Sequence, residues 1–185
     1  MAQNWSYNAA FRWNQSLENT LFDEVSGTLD FHTKKVYFRP TATIQRIAHY
    51  TYFDTLASVK QAEDAIGVFR TGFSAGGTHG KFEWSTLVLA NTKTGPDVIR
   101  MPSIVANANL ALNVQYKKLL YMQFGVDLQH QSAYYADAYM PVMQQYHLQD
   151  RYEVPAFVQA DAYVTLRINR VRLFFKMQNV TQGLL

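Results

Sequence analysis

The sequence predicts an all-β fold, an antiparallel up-and-down transmembrane barrel. Three observations predict it: apolar and polar residues alternate with period two, the alternating runs are as long as a bilayer requires, and the connections alternate between short and long. The clearest instance lies between Ile104 and His130. Ile104, Ala106, Ala108, Leu110, Leu112, Val114 and Tyr116 alternate with Val105, Asn107, Asn109, Ala111, Asn113, Gln115 and Lys117. After Lys117-Lys118, Leu120, Met122, Phe124, Val126 and Leu128 alternate with Tyr121, Gln123, Gly125, Asp127 and Gln129. Successive side chains on a strand point to opposite faces, so each run has one apolar and one polar face. Soluble strands usually run about 5–6 residues. A strand crossing a bilayer needs about 9–11, tilted by roughly 45°.

The same pattern defines the other strands in order. Trp5, Tyr7, Ala9, Phe11 and Trp13 form the apolar face of the first, against Ser6, Asn8, Arg12 and Asn14. Val25, Gly27, Leu29 and Phe31 form a weaker second, against Glu24, Ser26, Thr28 and Asp30. The third sets Val36, Phe38, Pro40, Ala42 and Ile44 against Tyr37, Arg39, Thr41, Thr43 and Gln45. Proline lacks a ladder donor, so Pro40 predicts a bulge or an early strand end. A less regular fourth surrounds Gly67, Phe69, Thr71 and Phe73, and a fifth uses Phe82, Trp84, Thr86, Val88 and Ala90. The sixth and seventh are the pair described above. The eighth sets Ala156, Val158, Ala160, Ala162, Val164, Leu166 and Ile168 against Phe157, Gln159, Asp161, Tyr163, Thr165, Arg167 and Asn169. The ninth sets Val171, Leu173, Phe175 and Met177 against Arg172, Phe174, Lys176 and Gln178.

Short turns fall near His32–Lys35, Gly76–Gly80, Lys117–Lys118 and Asn169–Arg170, and long connections near Tyr50–Ala65, Thr92–Ser103 and Gln131–Val154. Short turns at one end and long loops at the other are the rhythm of outer-membrane barrels, with the short turns periplasmic. Single-chain bacterial barrels usually have an even number of strands. Nine strands, with no signal peptide before Trp5, therefore predict that residues 1–185 are one segment of a longer barrel whose closing strand is missing.

Composition fits this reading. Only 17% of the 185 residues are charged, against about 25% in ordinary globular domains. No apolar run reaches the length of a transmembrane helix. The absence of cysteine excludes disulfides and thiolate metal sites. The 17 Lys and Arg are scattered and form no basic stripe, so nucleic acid is not an expected partner. A solvated face normally carries Lys and Glu. Here the polar face of the sixth strand is mainly amide, which suits a wet lumen. The competing architecture on pattern alone is a water-soluble antiparallel sandwich or a lipocalin-like barrel.

Several stretches carry a family resemblance. They are Val98-Ile99-Arg100-Met101-Pro102, the pair of strands through Phe124-Gly125-Val126-Asp127, and Ala133-Tyr134-Tyr135-Ala136-Asp137-Ala138-Tyr139-Met140-Pro141. The series ends at Phe174-Phe175-Lys176-Met177-Gln178-Asn179-Val180-Thr181-Gln182-Gly183-Leu184. Earlier elements are Tyr50-Thr51-Tyr52-Phe53-Asp54 and, less specifically, Phe11-Arg12-Trp13-Asn14. In these the chain resembles the putative porin family of Bacteroidetes-type bacteria, a family of outer-membrane β-barrels. The resemblance covers nearly the whole chain and is strongest from residue 98 onward. It implies an outer-membrane location, lipid and small hydrophilic solutes as partners, and no catalysed reaction. Family members are longer, with an export signal and further strands before this stretch and a closing strand after it.

No chemical motif competes. His32, His49, His79, His130 and His147 lack metal-ligand spacing and fit turns and strand ends better. No nucleophile elbow or phosphate loop is present, and no cofactor is implied. Gly76-Gly77-Thr78-His79-Gly80 reads as a turn. Asn4, Asn14 and Asn179 begin glycosylation sequons that fit chance matches better. The candidate lumen residues are Asn107, Asn109, Asn113, Gln115, Gln123, Asp127, Gln129, Gln159, Asp161, Arg167, Arg172 and Lys176. In the Tyr134–Tyr152 loop, Tyr134, Tyr135, Asp137 and Tyr139, with Tyr146, Asp150 and Tyr152, are candidates for stacking and hydrogen-bonding sugars or peptides. An interfacial aromatic girdle and loop packing explain these tyrosines more economically, and Trp5, Trp13 and Trp84 as well. Three functions follow from this reading: passive diffusion of small hydrophilic solutes, a structural or binding barrel that works through its outer loops, and a soluble sandwich binding module.

Overall fold

A computed structural model of the chain describes residues 17–117, 119–142 and 144–181. The predicted first strand around Trp5–Trp13, and the Gly183-Leu184-Leu185 segment, lie outside the described residues. Within them, eight long strands form one antiparallel sheet in sequence order. They are β1 (Leu21–Thr28), β2 (Val36–Ala48), β3 (Ile66–His79), β4 (Phe82–Thr94), β5 (Ile104–Tyr116), β6 (Leu120–Gln131), β7 (Phe157–Ile168) and β8 (Val171–Met177). A two-residue strand, Phe31–His32, extends β1 along β2. The chain is thus an up-and-down sheet, and its edge strands β1 and β8 do not pair with each other. The barrel is not closed by these strands.

The six inner strands have 12 to 14 residues. At about 3.3 Å per residue a 13-residue strand is roughly 43 Å long. Tilted by about 45°, it spans roughly 30 Å, the thickness of a bilayer's hydrocarbon core. Short turns join them at 33–35, 80–81, 117–119 and 169–170, and long connections at 49–65, 95–103 and 132–156. Gly80 opens the two-residue turn 80–81 with φ +62°, the geometry glycine supplies without steric cost.

Register fixes the faces. Leu110 lies opposite Val126, and Val126 opposite Ala162, which faces Met177. Phe82 lies opposite Leu112 and Trp84 opposite Leu110. Ile44 lies opposite Phe69 and Val25 opposite Ile44. One apolar face therefore runs unbroken across all eight strands, and it is open: Val25 is 74% exposed, Ile44 60%, Leu110 55% and Phe175 61%. A sandwich would bury this face beneath a second sheet. The long strands instead form a single sheet.

Two local expectations are corrected. Pro40 causes neither a bulge nor a strand end, because β2 runs through it from Val36 to Ala48. A residue in an antiparallel ladder directs its N–H and C=O toward the same neighbour. The Pro40 carbonyl accepts from Leu29 N at 3.1 Å, so its missing donor also faces the first strand. The ladder is interrupted there, at Leu29-Asp30, between Thr28↔Thr41 and Phe31↔Phe38 with no residue inserted. The side chain of Arg39 closes the gap, its Nη2 donating to Asp30 Oδ2 at 2.7 Å. Secondly, Gly76-Gly77 is strand, not turn. Gly76 lies beneath the Tyr37 ring, and a Cβ at Gly77 would stand 2.6 Å from the Lys35 carbonyl. The glycines permit close approach of neighbours.

A second glycine uses the same device. Gly125 lies directly opposite Tyr163, and a Cβ there would meet the Tyr163 ring at 2.1 Å. Gly125→Ala should displace that ring and destabilise the refolded full-length protein by about 1–3 kcal/mol. Gly27→Ala, with nothing within 4 Å of the added atom, should be close to neutral. Urea unfolding in lipid vesicles measures both; equal losses would reject the role assigned to the ring.

Candidate lumen face and outer loop cluster

The polar face is built as rungs crossing four strands. From the long-loop end, Asn107 lies opposite Gln129 and Gln129 opposite Gln159. Asn109, Asp127 and Asp161 form the next rung. Ala111, Gly125, Tyr163 and Lys176 follow, then Asn113, Gln123, Thr165 and Phe174. Gln115, Tyr121, Arg167 and Arg172 form the last rung before the short turns. All twelve candidate lumen residues share this one face. The sheet curls around it, so Tyr37 on β2 and Gln129 on β6 line one groove of about 540 Å³ with Ser74, Ser85, Asn107 and Asn109.

Its centre is a closed polar network. Asn109 Nδ2 donates to Asp127 Oδ1 at 2.5 Å and to the Tyr163 hydroxyl at 3.0 Å. Lys176 Nζ lies 2.9 Å from Asp161 Oδ2 and 3.8 Å from Asp127 Oδ2. Gln159 Nε2 and the backbone N–H of Asn179 both donate to Asp161 Oδ1, at 3.0 and 2.8 Å. Asp161 is 2% exposed, and its charge is met on both oxygens. These groups bind one another and tie β5 to β8 across the sheet.

At the long-loop end the polar face turns apolar. Ile66 and Val68, 0% and 2% exposed, occupy positions whose parity belongs to the polar side, next to Ile47. Loop residues Ala62, Val98 and Leu148 complete a hydrophobic cluster with them, surrounded by Tyr50, Tyr52, Ile99 and Met101. Side chains of the polar face hold the loops there. Asn91 Nδ2 donates to the Pro102 carbonyl at 2.9 Å, and Lys93 Nζ to the Ile99 carbonyl at 2.8 Å. Leu148 N bonds the Phe53 carbonyl at 2.9 Å, joining the third long connection to the first. The connections fold inward over the groove's mouth. This was missed in the sequence, although Ile66 and Val68 break the alternation and carried the signal.

Arg100 is the polar hub of this cluster. Its Nη1 donates to Asp97 at 2.8 Å and its Nη2 to Asp150 at 2.6 Å, while its guanidinium lies 6.0 Å from the centre of the Tyr135 ring. Of the outer-loop candidates, Tyr134 and Tyr135 pair with Val154 and Glu153 in a short ladder. Tyr139 stands apart, half exposed, its ring 5.2 Å from that of Tyr146. Burial pushes the Asp137 carboxyl above the usual range, against the opposing pull of Arg100 and His147. Asp54 is the reverse case. Burial alone would raise it, but the N–H groups of Ser58 and Leu56 and the Lys60 ammonium at 3.0 Å hold it below the usual range.

These shifts predict opposite pH behaviour. The Asp54 contribution is present above the ordinary carboxylate pKa and lost as pH falls through its lowered value. The ionised Asp137 is disfavoured in the folded loop, so that cost disappears as pH falls through its raised value. At pH 7, Asp54→Asn should speed amide hydrogen exchange across 51–61, and Asp137→Asn should slow it across 134–148. The Asp137 difference should vanish once pH falls through the ordinary carboxylate range, whereas the Asp54 difference should persist to lower pH. Changes of the same sign would contradict the assignment.

Comparison with curated proteins gives no match. A family model described as putative porin matches residues 1–185. The match covers the whole of residues 1–185, and the chain belongs to the putative porin family.

Proposed function

We propose that the chain is part of an outer-membrane barrel that lets small hydrophilic solutes cross by passive diffusion, with no reaction catalysed. The observation that carries this reading is the pairing of two faces on one sheet. An apolar face, continuous over eight strands, suits lipid. The face behind it carries Asn107, Asn109, Asn113, Gln115, Gln123 and Gln129, whose amides donate and accept without fixing a charge. Such a wall solvates neutral solutes while the few ionised groups set ion preference.

The inward-folded loops define the entrance. A solute arriving from outside meets the Ile66–Val98–Leu148 cluster and the Arg100–Asp150 pair before the groove. The full-length protein in planar bilayers should show stable conductance steps. Removing residues 136–149 should enlarge each step, because that segment carries Leu148 of the cover. The absence of steps across several salts and refolding protocols would reject diffusion as the function. A binding barrel is the second reading, favoured by the exposed Tyr139–Tyr146 pair. It predicts that the same deletion abolishes capture of a surface polysaccharide and leaves conductance unchanged.

A further inference from the structure

We propose that the short-turn end of the polar face holds a binding site for a small oxyanion, a phosphate or carboxylate carried by a permeating solute. The inference rests on the reading of this face as a lumen wall. Arg167 on β7 and Arg172 on β8 lie directly opposite each other one pair before the 169–170 turn. Like charges placed opposite each other on adjacent strands repel. Among the described residues no carboxylate forms an ion pair with either guanidinium. Asp127 and Asp161, the acids of this face on β6 and β7, are both engaged by Lys176. Two unneutralised guanidinium groups side by side thus offer a counter-ion ten donors in two planar forks, the geometry that matches phosphate and carboxylate oxygens.

The surroundings form a site around the pair. Arg167 and Arg172 line a cleft of about 400 Å³ with Tyr121, Gln123, Thr165 and Phe174. The Arg167 guanidinium lies 5.7 Å from the centre of the Tyr121 ring, which holds the side chain without neutralising it. Gln123 and Thr165 supply further donors, and Tyr121 and Phe174 are apolar walls against which the carbon body of a small organic anion can rest. The charge distribution along the strands points the same way. All four short turns carry a cation, at Lys34-Lys35, Lys81, Lys117 and Arg170, whereas most carboxylates lie toward the long connections. The two acids at the short-turn end, Asp30 and Glu83, are bound by Arg39 and Asn113. The potential therefore becomes positive toward the arginine pair, which draws anions inward.

The test has two arms, both on the refolded full-length protein with inorganic phosphate as probe. In planar bilayers under a KCl gradient, the wild type should prefer anions, and added phosphate should reduce the chloride current at millimolar concentration. Arg167→Gln with Arg172→Gln should shift the reversal potential toward cation preference and raise the half-blocking phosphate concentration at least tenfold. Lys34→Gln, which removes a charge at the same end but off the polar face, should leave the phosphate block unchanged. Isothermal titration in detergent micelles reads phosphate binding without needing an open pore. Binding that is lost in the double variant, with no conductance in any protein, would reject diffusion and keep the site. Conductance with the same phosphate block in wild type and double variant would overturn the site and keep diffusion. If the double glutamine variant does not refold, Arg172→Gln alone removes one of the two charges; unchanged phosphate affinity in that protein also overturns the proposal.

Discussion

In an antiparallel ladder each residue directs both backbone polar groups to one neighbour, and in lipid there is no water to replace a missing partner. That constraint organises the rest of the molecule. β2 accommodates Pro40 because the vacant donor faces β1 at Leu29-Asp30, where the Arg39 and Asp30 side chains bridge the interruption. The same constraint requires strands to approach closely along their whole length. The approach is provided at Gly76 and Gly125, each covered by the tyrosine across from it. With the ladder satisfied, side-chain parity is fixed, and so are the two faces.

Parity was readable in the sequence wherever one face of a strand is apolar along its length. The runs 104–116, 120–131, 157–168 and 171–177 alternate with few exceptions, such as Val105, Ala111 and Phe174 on the polar side, and their structural faces follow that parity. The four short turns and three long connections were equally legible, because basic, glycine or asparagine turn residues stand between bilayer-length runs. What failed was local chemistry decided by a distant partner. Gly76-Gly77 looks like a turn until Tyr37 is placed over it, some forty residues earlier in the chain. Pro40 looks like a break until the direction of its missing donor is known. Ile66 and Val68 break the alternation, but what they cover depends on Val98 and Leu148, far along the chain.

The polar face divides into groups that satisfy one another and groups that do not. Asp161, Lys176, Asp127, Asn109 and Tyr163 are mutually bonded and act as a brace between β5 and β8. The amides of the Asn107–Gln129–Gln159 rung keep capacity for water, and Arg167 and Arg172 keep their charge. Membership of the porin family gives the architecture its context. The distribution of satisfied and unsatisfied groups is what this particular chain adds.

The inward-folded loops also carry a consequence for assembly. Every long strand pairs with its neighbour in sequence, so the sheet can grow hairpin by hairpin from contacts that close short segments. The cluster at the mouth is different. The bond from Leu148 to Phe53 joins positions nearly a hundred residues apart; Ile66 can meet Val98 once β3 and β4 have paired, but Leu148 only after β5 and β6 have followed. Loop closure over that distance is entropically costly until the intervening strands hold the ends together. The strands between these positions must therefore pair before Leu148 can complete the cluster over them.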